Sequence, residues 1–262
     1  MPTAQSGFFE WVLFIVRTYA PLLLRGAGTT LLLALSGTFV GFVIGLAIGS
    51  VRAIPVKKSD GAKYYLLKIV NAILSVYIEV FRSTPMIVQA MVIFYGAAQL
   101  LKITMPNLLA GFIIVSINTG AYLSEIVRGG IQSVDPGQRE AAQAIGMTYG
   151  QTMLHIVLPQ AIRNILPALG NEFVVNIKDT SVLNVISVSE LFFVSKSAAG
   201  TYYRYFEVFF VTNVVYFVMT FAATRLLRLL EKKLDGPENY TIHGSQTVIE
   251  GEIKVKEAAE NE

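Results

Sequence analysis

The stretch GAGTTLLLALSGTFVGFVIGLAIGSV, residues 26–51, contains no charged side chain and is mostly aliphatic. A helix needs roughly 20 consecutive apolar residues to cross the hydrocarbon core of a bilayer, and this stretch is longer. Glycine recurs in it at every fourth position, at Gly37, Gly41, Gly45 and Gly49. This spacing places the four glycines on one helix face, which a second helix can approach closely. We expect that second helix to belong to the same chain, with a subunit interface as the alternative.

The rest of the chain has the composition of a membrane protein. Of its 262 residues, 53% are hydrophobic and 15% are charged, whereas soluble domains carry about 25% charged residues. The apolar runs predict five spans, at residues 22–52, 64–100, 105–128, 160–195 and 205–231. The predicted fold class is therefore all-α, a polytopic membrane protein with five transmembrane helices. Pro85 predicts a bend in the long second span, and a six-span alternative treats it as a loop.

The basic residues predict the orientation of the chain. Lys and Arg cluster after the first, third and fifth predicted spans, and such clusters favour the cytoplasmic side. With five spans, these clusters share one side, so we expect the N-terminus outside and the C-terminus in the cytoplasm. We attribute the net charge of +3 to basic residues that set the orientation of the chain in the membrane, and not to a surface that binds nucleic acid. The predicted organisation is an extracytoplasmic segment 1–21, a transmembrane domain 22–234 and a cytoplasmic tail 235–262.

A polar segment interrupts the apolar chain between the third and fourth predicted spans. It reads REAAQAIGMTYGQTMLHIVLP, residues 139–159, and it follows the turn at Asp135-Pro136-Gly137. Its composition predicts a short cytoplasmic helix within the loop 135–160 that is suited to docking into a cleft of another protein. The alternative is an amphipathic helix resting on membrane lipid, which normally carries Lys or Arg along its polar face.

This loop resembles the EAA loop of ATP-binding-cassette importer permeases. The matching positions are Glu140, Ala141, Ala142, Gly146, Ile156, Leu158 and Pro159. Three further stretches look like the polar-amino-acid branch of that family, which serves histidine, arginine and glutamine. They are YIEVFRSTPMIVQAMVIFYG (77–96), GAYLSEIVRGGIQSVDPGQREAA (120–142) and NIKDTSVLNVISVSEL (176–191). The resemblance covers roughly residues 20–234, with small departures at Ser83 and Val182.

The resemblance implies a permease in the cell membrane of a prokaryote that transports polar or basic amino acids. It implies three partners: ATP-binding-cassette ATPase subunits that contact the loop, an extracytoplasmic solute-binding protein, and a second permease copy or a paralogue. The chain has no G-x-x-x-x-G-K-[ST] phosphate loop, no HExxH motif and no cysteine. We therefore expect no catalytic residue, no metal site and no cofactor of its own, with ATP bound by the partner subunit.

Polar residues at predicted membrane depth are candidates for substrate contact, because burying them in lipid is costly. The candidates are Thr84, Gln89, Asn118, Asn176, Asp179 and Thr180. Glu79 and Arg82 lie three residues apart and have a structural alternative, namely pairing with each other. Glu125 and Arg128 are expected to form a gate or an anchor for the loop. Competing functions are an ATP-independent secondary transporter or channel and a membrane receptor or scaffold without transport.

Overall fold

The computed structural model describes residues 2–3, 6–55 and 58–234, so the predicted tail 235–262 lies outside the described residues. The α-helices are α1 Phe8–Arg52, α2 Ala62–Ser83, α3 Met86–Leu100, α4 Asn107–Gln132, α5 Pro136–Ala144, α6 Tyr149–Thr152, α7 Leu158–Asp179, α8 Leu191–Tyr202 and α9 Tyr205–Leu234. Two 3-10 segments, Lys58–Asp60 and Thr180–Ile186, and a π turn, Met153–Val157, complete the secondary structure of these residues. The described part of the chain has no strand, which confirms the all-α class.

Four helices, α1, α2, α4 and α9, are long and apolar enough to cross a membrane. The broken pair Tyr149–Ile186 and Leu191–Tyr202, whose two parts meet at a bend of 56°, makes a fifth span when the pair is counted as one. This count agrees with the five-span prediction.

The first helix starts earlier than predicted. α1 begins at Phe8, has 45 residues and contains Pro21, so most of the segment 1–21 is helical and continuous with the first span. Its N-terminal half packs against α8 and α9 through a cluster that includes Ile15, Leu23, Leu191 and Val208. This burial stabilises helix on both sides of the proline. The extracytoplasmic placement of residues 1–21 stays a prediction.

The second span is broken rather than bent. α2 ends at Ser83, Thr84 and Pro85 have extended backbone angles, and α3 begins at Met86. Proline disfavours helical geometry at the residue before it and removes one backbone donor, and at Pro85 the helix ends before Thr84 and a new helix starts after the proline. α2 is long enough to span by itself, and α3 is a shorter apolar helix.

The fourth predicted span, 160–195, is not one continuous helix. α7 ends at Asp179, a 3-10 segment follows, and Ser187 adopts a left-handed conformation with φ 60°. The fully buried Glu190 caps α8 by accepting hydrogen bonds from the backbone N–H groups of Phe192 and Phe193 at 2.8 and 2.7 Å. The Tyr216 hydroxyl donates a third bond to this carboxylate, so the bend is held by a satisfied acidic cap.

The glycine ridge packs inside the chain, which confirms the intramolecular interpretation. The ridge faces α4, and each successive glycine from Gly37 to Gly49 meets a residue four positions further along α4, from Val115 to Val127. The two helices therefore run parallel. A β-carbon built at Gly41 would lie 2.7 Å from Thr119 Cβ, and one at Gly45 would lie 2.7 Å from Leu123 Cβ. Since real β-carbons do not approach this closely, glycine alone permits the contact.

We expect Gly41→Ala to destabilise the protein by about 1–3 kcal/mol, because the added methyl group overpacks the α1–α4 contact. Gly28→Ala is the matched control on the same helix, since a β-carbon there meets no atom within 4 Å. The measurement is the apparent Tm of each variant purified in detergent. Equal Tm values for the two variants would contradict the packing role of the ridge.

Candidate functional site

Three of the predicted substrate residues meet at the break between α2 and α3. Gln89 Nε2 donates to the carbonyl oxygens of Phe81 and Thr84 at 3.0 and 2.9 Å, and to Thr84 Oγ1 at 2.9 Å. Asn118 Nδ2 donates to Gln89 Oε1 at 2.8 Å from the neighbouring helix α4. The two amides therefore supply donors to carbonyl groups that the break leaves without helical partners.

The fourth candidate, Asn176, lies in a different polar cluster. Its Nδ2 donates to Thr38 Oγ1 at 2.8 Å and to Thr119 Oγ1 at 2.9 Å, so one buried amide joins α1, α4 and α7. Asn118 and Thr119 are adjacent in α4 and serve the two separate clusters. The structure thus brings Thr84, Gln89 and Asn118 together and holds Asn176 apart from them.

The last two candidates differ in their surroundings. Thr180 is fully buried, and its hydroxyl donates to the Ile177 carbonyl at 3.0 Å. Asp179 is exposed, and its side chain makes no hydrogen bond or ion pair within the described part of the chain. Of the six predicted residues, Asp179 is thus the one whose side chain makes no hydrogen bond within the described part of the chain. A role in substrate contact stays a prediction for all six.

A charged cluster at the end of α1 was only partly visible in the sequence. Arg128 Nη2 contacts Glu125 Oε2 at 2.8 Å, as their spacing of three residues indicates. Arg52 also pairs with Glu125, although it lies far away in the sequence. Glu125 therefore anchors the C-terminal end of α1 to α4. Among the described residues, no group of three or more His, Cys, Asp or Glu is arranged to hold a metal ion.

The predicted coupling loop is an ordered connection in which hydrogen bonds close the end of α5. Gly146 follows α5 with φ 83°, its N–H donates to the Gln143 carbonyl at 3.0 Å, and the Met147 N–H donates to the Ala142 carbonyl at 3.0 Å. These two bonds form a Schellman motif, which requires a left-handed residue and therefore favours glycine. The π turn Met153–Val157 then leads directly into α7, which contains Pro159 in its first turn.

The loop has a buried face and an exposed face. Met153 and Val157 pack against Val127 and Ile131 of α4, which fixes the loop to the bundle. Ile145 is 78% exposed and Leu154 is 62% exposed. Among the predicted coupling residues, Glu140, Ala141, Gly146 and Pro159 are exposed, Ile156 and Leu158 are half-buried, and Ala142 is buried. An exposed, partly apolar surface on a capped, anchored helix is typical of a protein-docking site.

Residues 61–236 match the family described as the binding-protein-dependent transport system inner membrane component. The chain belongs to this family. It is 37% identical to the nopaline transport system permease protein NocM of Agrobacterium fabrum, over 80% of this chain and 87% of that protein. It is 35% identical to the glutamine transport system permease protein GlnP of Escherichia coli, over 82% of this chain and 93% of that protein. It is 31% identical to the arginine transport system permease protein ArtQ of Bacillus subtilis, with the same coverage of 82% and 93%.

A solved structure described as an amino acid ABC transporter with histidines has the same fold. Its matching chain is 38% identical, with a TM-score of 0.73, and the match covers 87% of this chain and 99% of that chain. The prediction of an ATP-binding-cassette importer permease is thereby confirmed. The family match also confirms a multi-pass membrane protein that acts as a permease subunit.

We expect Gln89→Leu to lower stability by about 1–3 kcal/mol, because it leaves carbonyl groups at the helix break without donors. Gln99→Leu is the matched control, since Gln99 lies on the exposed surface of the same helix α3. The measurement is the apparent Tm in detergent together with tryptic cleavage near Arg82. Unchanged Tm and unchanged cleavage in Gln89→Leu would show that the break does not depend on this amide.

Proposed function

We propose that this chain forms the translocation pathway of an ATP-driven importer of polar or basic amino acids. The observation that carries the proposal is the loop 135–160, which is capped by hydrogen bonds, presents an exposed, partly apolar face and is anchored to α4 through Val157. Such a loop can transmit a displacement from a cytoplasmic subunit to the spans without folding or unfolding. The relatives named for glutamine, arginine and nopaline transport support the substrate class.

The proposed partners follow from the same loop and family. ATPase subunits of the ATP-binding-cassette type bind the exposed face around Ile145 and Leu154, and a solute-binding protein delivers substrate on the opposite side of the membrane. A second permease copy or a paralogue completes the pathway, because two ATPase subunits require two coupling loops. The clusters of basic residues support the proposal that the loop and the C-terminus lie in the cytoplasm and the N-terminus outside.

The family match favours an ATP-driven importer over an ATP-independent transporter or channel, and one experiment tests whether transport requires ATP. The permease is purified together with candidate ATPase subunits and reconstituted in liposomes with the binding protein. Uptake of labelled arginine, histidine and glutamine is then measured with and without ATP, beside phosphate release. The proposal expects uptake that requires ATP and phosphate release that rises with loaded binding protein. Full uptake without ATP and without an ATPase subunit would contradict the proposal.

We expect Gly146→Ala to reduce the amount of substrate imported per ATP hydrolysed. An alanine at a left-handed position costs about 1–2 kcal/mol, which loosens the end of α5 where the loop meets the ATPase. Gly150→Ala is the matched control, because Gly150 lies in a helix and a β-carbon there meets no atom within 4 Å. If both variants import and hydrolyse like the wild type, the loop does not couple the two activities through this turn.

We expect Asp179→Asn to weaken apparent uptake of arginine by about tenfold relative to glutamine. The carboxylate is exposed and unpaired within the described chain, and a charge-assisted hydrogen bond contributes about 1.5–3 kcal/mol. Uptake is compared with that of Glu10→Gln, which removes an exposed carboxylate from the far end of α1. Unchanged uptake of arginine, histidine and glutamine in Asp179→Asn would remove this residue from the pathway.

A further inference from the structure

A cavity of about 580 Å³ lies between α1 and α8, where the first residues of α4 and the turn before α8 close it. Its wall has a polar side and an apolar side. The apolar side includes Leu22, Leu108 and Phe193. Among the described residues that line the cavity none is acidic, and the polar ones are Arg25, Thr29, Asn107, Ser187, Ser189 and Ser197. The wall therefore has a net positive charge.

The cavity lies at the depth of the lipid headgroups. Arg25 and Arg52 stand at the two ends of the charge-free run of α1, and a rise of about 1.5 Å per residue separates them by about 40 Å. A bilayer with its headgroup regions is about 40–45 Å thick. Arg52 lies at the end of α1 that is close to the loop 135–160, since the Tyr149 hydroxyl donates to the Ala53 carbonyl. Arg25 therefore lies in the headgroup region on the opposite side of the membrane.

The polar side of the cavity has hydrogen-bond donors that the described chain does not use. The Arg25 guanidinium is exposed and makes no hydrogen bond or ion pair with the described residues. The hydroxyl groups of Ser187, Ser189 and Ser197 are on exposed residues as well, and they too have no partner there. One cation and three hydroxyl groups around one cavity suit an anion with several oxygen atoms.

The protein holds these donors in place without neutralising them. Asn107 Nδ2 donates to the Ser187 carbonyl at 3.2 Å, which fixes the turn before α8 to the start of α4. Glu190 follows Ser189 in the sequence, but its carboxylate is fully buried and accepts three hydrogen bonds from its own surroundings. It therefore does not pair with Arg25.

An apolar stripe continues from the cavity toward the middle of the bilayer. Leu32 and Phe39 follow Arg25 at intervals of seven residues, or about two helical turns, which places all three on one face of α1. Leu32 is 57% exposed and Phe39 is 67% exposed. A free phosphate ion would contact the polar side of the cavity alone. A phospholipid has a phosphate at headgroup depth and an acyl chain below it, so it matches both the donors and the stripe.

We propose that this cavity binds an anionic phospholipid from the leaflet that surrounds it. The phosphate oxygens accept hydrogen bonds from the Arg25 guanidinium and the serine hydroxyl groups, and an acyl chain lies along Leu32 and Phe39. Phosphatidylcholine brings a second cation close to Arg25, whereas phosphatidylglycerol does not, so the site favours phosphatidylglycerol. The bound lipid joins α1 to α8 at the membrane surface, whichever substrate the protein transports.

The first test compares lipids on the wild-type protein, so no variant has to fold. Full-length permease in detergent is depleted of lipid and titrated with phosphatidylglycerol or with phosphatidylcholine, and bound lipids are counted by native mass spectrometry. We expect the first phosphatidylglycerol to bind at least about fivefold more tightly, the effect of one basic side chain that meets an anionic headgroup. Equal affinity for the two lipids would overturn the proposal.

Inorganic phosphate separates a lipid site from a site for the free ion. It is added to permease that already holds phosphatidylglycerol, and the lipid-bound fraction is measured again. We expect the lipid to remain bound, because the acyl chain contributes to its affinity. Displacement of the lipid by phosphate would assign the cavity to the free ion and contradict a lipid site.

Variants then assign the preference to one side chain. Arg25→Gln should weaken phosphatidylglycerol by about tenfold and remove its advantage over phosphatidylcholine. Ser189→Ala should weaken both lipids alike, because both present a phosphate. Arg17→Gln is the matched control, since Arg17 is exposed on the same helix, lies outside the cavity and changes the net charge equally. A preference that survives in Arg25→Gln, or that Arg17→Gln loses to the same extent, would show that the lipid does not bind at this cavity.

Thermal stability provides a second measurement on the same proteins. Phosphatidylglycerol should raise the apparent Tm of the wild type and of Arg17→Gln, because a ligand that binds the folded state stabilises it. It should raise the Tm of Arg25→Gln clearly less. The same increase in all three proteins would mean that the lipid acts elsewhere on the surface, which contradicts the proposed site.

Discussion

The fold depends on the direct approach of two backbones, those of α1 and α4. Four glycines remove the side chains from one face of α1, so that Val115, Thr119, Leu123 and Val127 of α4 lie against bare backbone. In lipid, helices gain little from hiding apolar surface, and close van der Waals packing becomes the main attraction between them. The charged cluster at Glu125, the Asn176 amide and the anchored loop are all attached to this pair of helices.

Backbone groups inside a membrane need partners, and the two breaks in the spans meet this need in different ways. At the Thr84–Pro85 break, the Gln89 amide donates to the Thr84 carbonyl and the Asn118 amide donates to the Phe81 carbonyl. Before α8 the unpaired groups are donors, because the first turn of a helix has N–H groups without helical partners. The Glu190 carboxylate accepts hydrogen bonds from two of them. The chemistry of each break therefore matches the backbone group that it leaves unpaired. The polar residues at the breaks have structural reasons to be there, which is why polarity alone is weak evidence of a transport pathway.

The sequence predicted those structural features that depend on residues close together in the chain. The four-residue glycine period, the charge-free run and the polar loop gave the packing of α1, the number of spans and helix α5. Contacts between distant residues were not predictable, because nothing in the neighbourhood of Asn176 indicates Thr38, and nothing near Arg52 indicates Glu125. Spacing also misled in one instance. Glu79 and Arg82 have the separation of an ion pair, but the Tyr122 ring, on another helix, holds the guanidinium in a different place.

The length of α1 has a consequence for how the protein sits in lipid. Its 45 residues correspond to about 68 Å, more than twice the hydrocarbon thickness of about 30 Å. Such a helix can slide or tilt along the membrane normal and still keep its apolar core in hydrocarbon. Ile15 and Leu23 are covered by α8 and α9, whereas Phe9 and Leu24 in the same half of the helix are 82% and 71% exposed, so protein shields this half of α1 on one side only. We therefore expect the helix bundle to fit thin and thick bilayers by changing its tilt and its position along the membrane normal, while its internal contacts stay the same.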